Sequence, residues 1–185
     1  GISVFEEWEV GCHKDFMFSF CTAWQLGVLS KFPSLLCLDA THNTCYALDD
    51  KDRKALLNTI VVRHSAAGCG VPVAFMITSS ETRVPLERWL KLLKVNARLI
   101  ESPTFIIDFS VTEIAGIKSA FNHPQIRFCH WHLFRALNSQ SKKIRDGTIR
   151  KKAVEDLIVL VRTKTSAEFA AVWERYQQTY QSQRD

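Results

Sequence analysis

The run Leu35-Leu36-Cys37-Leu38-Asp39-Ala40-Thr41-His42 decides the fold. Four apolar residues lead into an aspartate, and the chain then turns polar. An apolar run of this length without helical spacing predicts a buried strand. A carboxylate where such a strand ends is badly placed for packing. It is well placed to hold a metal ion, because open α/β sheets put their chemistry at strand ends. Thr104-Phe105-Ile106-Ile107-Asp108 repeats the pattern. Either aspartate alone also reads as a turn residue or a helix cap. The two together make the case for an active site.

Working outward from Asp39, the charge run at 49–54 predicts a solvated hairpin loop. Leu56 to Arg63 is a second strand, rich in β-branched residues. Ala66 to Gly70 is a turn, and Val71 to Thr78 a third strand with Pro72 tolerated at its beginning. Three strands with short links predict an antiparallel meander. The period then changes. Leu86, Trp89, Leu90, Leu93 and Ala97 fall on one helix face, and Pro85 suits the first turn. After the 104–108 strand, Thr112 is the expected cap of a helix carrying Ile114, Ile117 and Phe121, with Glu113 favourable in its first turn. Gln125 to Phe128 is a fifth strand running into Cys129-His130-Trp131-His132. From there the chain reads as helical, with one stripe at Ile149, Ala153, Leu157 and Leu160 and another at Phe169, Val172, Trp173, Tyr176 and Tyr180. Upstream of the key run, residues 1–11 show no clear period. Asp15 to Phe20 suggests a short strand, and Thr22 to Phe32 a short helix burying Trp24, Leu26 and Leu29.

The element order is three strands, helix, strand, helix, strand, helices. It predicts an α/β ribonuclease-H-like fold: a five-stranded mixed sheet, in which a meander gains two parallel strands by helical crossovers, flanked by helices. The first and fourth strands of that topology are neighbours, so Asp39 and Asp108 are expected to meet. The expected organisation is a lead-in at 1–34, a core at 35–145, and the start of an all-helical insertion at 146–185.

Bulk properties fit this reading. The 185 residues are 46% hydrophobic and 23% charged, enough for one domain with a sizeable core and unlike a disordered chain. The net charge of +5 is compatible with a polyanionic partner. No run approaches the roughly 18 apolar residues of a membrane span, so no membrane partner is expected. Six cysteines at 12, 21, 37, 45, 69 and 129 form no paired framework, which predicts free thiols in a reducing compartment, cytosol or nucleus. Both ends read as cut from something longer.

Leu38-Asp39-Ala40-Thr41-His42-Asn43-Thr44, Pro72-Val73-Ala74-Phe75, Ile107-Asp108-Phe109-Ser110 and Cys129-His130-Trp131-His132 together resemble the transposase domain of Mutator-like DNA elements, from about Phe16 to Leu137. The resemblance implies cut-and-paste DNA transposition in the nucleus, by a domain that likewise has a ribonuclease-H-like core and that acts as a homo-oligomer on DNA. It implies two aspartates and a glutamate holding two Mg²⁺ or Mn²⁺ ions, with Asp39 and Asp108 matching the aspartates. Two such ions clamp the attacking and leaving oxygens of a phosphodiester, and hard cations take carboxylate oxygens. The third acid of that family sits on a helix beyond a helical insertion. It lies past Asp185, or it is Glu168 or Glu174. Thr165-x-x-Glu168 also reads as a capping box, and Glu174 as a solvated residue off the aromatic stripe.

Cys129 and His132 match the family's Cys-x-x-His signature. Thiolate and imidazole suit zinc, but a structural zinc site takes four ligands and the sequence has no second pair. A buried thiol beside a hydrogen-bonded histidine is the favoured expectation. Thr41 and His42 belong to the same expected cleft, or to a turn. Lys142, Lys143, Arg145, Arg150, Lys151 and Lys152 form a basic stretch for phosphate contact, or a solvated helix surface. A host-adopted derivative that binds DNA or protein without cutting stands as the alternative to the enzyme.

Overall fold

A computed structural model describes residues 1–46 and 54–181. Most of the hairpin loop expected at 49–54 lies outside the described residues. The chain divides into two compact units, residues 1–129 and 130–185.

The first unit is a seven-stranded mixed sheet with three helices. Its strands are β1 (Ile2–Val10), β2 (His13–Cys21), β3 (Leu35–Tyr46), β4 (Lys54–His64), β5 (Cys69–Thr78), β6 (Thr104–Ile107) and β7 (Gln125–Phe128), in the order β1-β2-β5-β4-β3-β6-β7. The meander β3-β4-β5 is antiparallel, and β6 and β7 add in parallel beside β3. That is the topology expected from the element order. Two strands extend the expected five-stranded sheet: β2, which covers the strand suggested at Asp15 to Phe20, and β1, which the sequence does not announce. β1 and β2 form a hairpin, and β2 adds to the far edge of β5 with Phe20 stacked on Phe75 at 5.0 Å. In β1 the half-buried positions Ile2, Val4, Glu6 and Trp8 alternate with exposed ones. Glu6 breaks the apolar alternation in sequence, and Arg88 pairs with it at 2.8 Å.

The crossovers supply the core. Helix α2 (Arg83–Asn96) and helix α3 (Val111–Ala120) pack on one sheet face. Trp89, Leu90, Leu93 and Ile117 are buried there with Leu36, Leu38, Ile60, Phe105 and Ile107. Alternation along β3 therefore sends Leu36 and Leu38 inward, and Cys37 and Asp39 to the opposite face. Helix α1 (Ala23–Lys31) carries a capping box between Thr22 and Gln25 and buries Val28 and Leu29. Trp24 instead stays exposed, because at nine residues the helix has room for a narrow buried stripe only.

The second unit holds α4 (His130–Ser141), α5 (Gly147–Val161) and α6 (Ser166–Tyr180). Ala153 and Leu160 are its buried anchors, and the rings of Trp173 and Tyr176 stack at 5.7 Å.

Candidate active site

β3 and β6 run side by side in parallel, and each leads to one of the two aspartates. The parallel register pairs Leu35 with Thr104, Leu36 with Phe105 and Cys37 with Ile106. Carried two residues further, it sets Asp39 across from Asp108. β6 stops at Ile107, so Asp108 stands just past its end. β3 does not stop at Asp39, as the sequence suggests; it continues to Tyr46 because β4 goes on pairing with it, Asp39 lying opposite Thr59. The free strand edge begins where β6 ends, and Asp39 stands on it. Both aspartates are exposed. The Asp108 carboxylate accepts the Phe109 N–H at 2.7 Å, which fixes its orientation.

A third carboxylate feels the charge of both aspartates. Ser110, rather than Thr112, caps α3 and accepts the Glu113 N–H at 3.2 Å. This sets Glu113 in the first turn on the helix's buried face, where the residue is only 6% exposed. Its Oε2 is buried without a hydrogen-bond partner. Burial first, and then the charges of Asp39 and Asp108, push its carboxyl up to about 7. In sequence Glu113 reads only as a helix-start residue. The signal that could have found it is spacing: it lies one helical turn before the buried Ile117, five residues after a strand-end aspartate.

The other expected site residues take varied places. His42 Nδ1 approaches Glu81 Oε1 at 3.7 Å, both side chains exposed, and Thr41 is exposed in β3. Cys129 ends the first unit, half-buried, its N–H donating to the Ile107 carbonyl at 2.7 Å. Burial and the nearby Cys129 raise the Cys37 thiol. His132 opens α4 with its ring edge-on to Trp131 at 4.8 Å. Glu168 closes the capping box, its Oε2 accepting from the Lys164 and Thr165 amides. Glu174 is exposed and accepts a 3.4 Å hydrogen bond from Gln178. Lys142, Lys143, Arg145, Lys151 and Lys152 are exposed. Arg150 is not: its guanidinium is turned onto the Ile144 carbonyl at 2.7 and 3.0 Å, closing the turn before α5.

Among the described residues no group of three or more His, Cys, Asp or Glu side chains is arranged to hold one metal ion. The donor chemistry of Asp39 and Asp108 still fits Mg²⁺ or Mn²⁺, which take one or two carboxylates and keep several waters. The orphaned Glu113 oxygen beside them is a buried acceptor of the kind a hydrated cation satisfies.

A family model described as "Zinc finger SWIM domain-containing protein 1/3, RNaseH-like domain" matches residues 12–127, from just before β2 into β7. No curated protein matches the chain.

Proposed function

The chain belongs to this RNaseH-like domain family of zinc finger SWIM domain-containing proteins 1/3, and on that premise we propose that it is the core of a Mutator-like, nuclear DNA transposase. The observation that supports the reading is the parallel register of β3 and β6, Leu35 to Cys37 beside Thr104 to Ile106, which extended by two residues sets Asp39 across from Asp108. The chemistry that two bound Mg²⁺ or Mn²⁺ ions supply is electrostatic clamping of the attacking and leaving oxygens of a phosphodiester. Asp39 and Asp108 would hold such ions and balance their charge. The Phe109 amide keeps the Asp108 carboxylate oriented. The exposed lysines of the 142–152 stretch contact DNA phosphates. The acting form is a homo-oligomer on the element's ends.

One observation favours a second reading, a host-adopted domain that binds DNA or protein without cutting: the described residues contain no three-ligand metal cradle. One experiment separates the two. In the full-length protein, Mg²⁺- or Mn²⁺-dependent nicking and strand transfer are measured on the element's own ends, beside binding to the same DNA. Asp39→Asn and Asp108→Asn should abolish cutting and leave binding largely intact, because affinity comes mainly from basic residues meeting phosphate. Variants that cut like the wild type would make these aspartates turn residues. A wild type that binds and never cuts would establish the adopted, non-catalytic reading.

A further inference from the structure

Glu113 is the residue whose placement has no explanation in packing. A carboxyl 6% exposed beside two further carboxylates is costly in any protonation state, because it is either desolvated and charged or held protonated against its ordinary preference. It does not belong to a capping box; the α3 cap is made by the Ser110 hydroxyl and the Glu113 amide, not by the Glu113 side chain. Among the described residues no cation offsets it; the charges acting on it are Asp39 and Asp108 alone. A leucine or methionine would fill the same space against the sheet at lower cost. The arrangement becomes less costly when positive charge gathers beside Asp39 and Asp108.

We propose that Glu113 is a positioning carboxylate of the Asp39–Asp108 site, accepting hydrogen bonds through Oε2 from water carried by a divalent cation that the two aspartates ligate. This rests on the reading of Asp39 and Asp108 as a cation-holding pair. A role through water agrees with the absence, among the described residues, of any three side chains arranged to ligate one ion. It also gives the buried, partnerless oxygen its donor. Because α3 begins three residues after Asp108 and is pinned by Ser110, the helix start sets the distance between the acceptor and the ligand pair.

The test is titration of Mn²⁺ alone into the full chain at pH 8 by calorimetry, with no DNA and no activity readout. The wild type should bind. Asp39→Asn and Asp108→Asn should lose detectable binding. Glu113→Gln should bind about 10- to 100-fold more weakly, the range for losing a group that orients bound water. Its melting temperature in metal-free buffer should be unchanged or higher. Glu113→Asp, which keeps the charge, should bind more tightly than Glu113→Gln. If Glu113→Gln binds like the wild type while the aspartate variants do not, the positioning role is wrong and the cation site stands. Equal weakening in Glu113→Gln and Glu113→Asp would assign the loss to packing and overturn the role. If the wild type binds no Mn²⁺, the cation reading falls, and the role of Glu113 falls with it.

Discussion

At Glu113, burial and two neighbouring negative charges all favour the protonated form. Unfolded, the same carboxyl titrates near the ordinary glutamate value of about 4.3. The folded chain therefore holds its proton more tightly than the unfolded chain between that value and about 7. Stability from this group is fully present below the unfolded value and is lost as pH rises through about 7. The loss is at most on the order of 4 kcal/mol, at 1.36 kcal/mol per unit. Urea unfolding in EDTA should find the wild type and Glu113→Gln closest at about pH 4 and below. By pH 8 the variant should be the more stable. A difference independent of pH would show that Glu113 ionises as freely folded as unfolded. Asp39 and Asp108 are legible in the sequence because each ends an apolar run. Glu113 is not, since an acid in a first helical turn has an ordinary explanation that hides its burial.

The elements are legible where local pattern and tertiary pairing agree, and less so where pairing overrides pattern. β6 and β7 begin where the sequence places them, directly after Pro103 and Pro124. β3 runs seven residues past Asp39 because β4 continues beside it, and nothing in a polar stretch announces a partner. β1 escapes a sequence reading for a similar reason, its alternation broken by Glu6. Helix α3 packs against α2 at Gly116, where an added Cβ would stand 2.9 Å from the Leu86 side chain. Leu86 is buried and has little room to yield. Gly116→Ala gains helix propensity of about 1 kcal/mol, yet overpacking costs roughly 1–3 kcal/mol. Chemical denaturation should show a net loss of stability. Ser110→Ala, which removes the α3 cap, should lower stability by about 1 kcal/mol in the same measurement.

At the scale of the molecule, charge is distributed by unit and function. Four lysines, Lys142, Lys143, Lys151 and Lys152, are exposed in the helical unit. Replacing them together with glutamine should weaken DNA binding across all sequences and flatten its dependence on salt, the slope falling by about 1 for each phosphate no longer neutralised. Binding measured at several salt concentrations checks this; an unchanged slope would place the DNA surface elsewhere. Acidic charge gathers at the other end of the chain. Among the described residues β1 is the outer strand of the sheet, nine residues long, with one row of backbone amides and carbonyls facing no other strand. It carries Glu6, Glu7 and Glu9. Two such borders brought together would set like charges against each other, so copies of the chain repel where their sheets would otherwise join end to end. Exchanging the three glutamates for threonine should turn that border into a template, with light scattering that rises with concentration and time. Like charge on that open border, from Glu7 and Glu9 above all since Glu6 is already paired with Arg88, is thus the expected brake on growth of the sheet into a fibril.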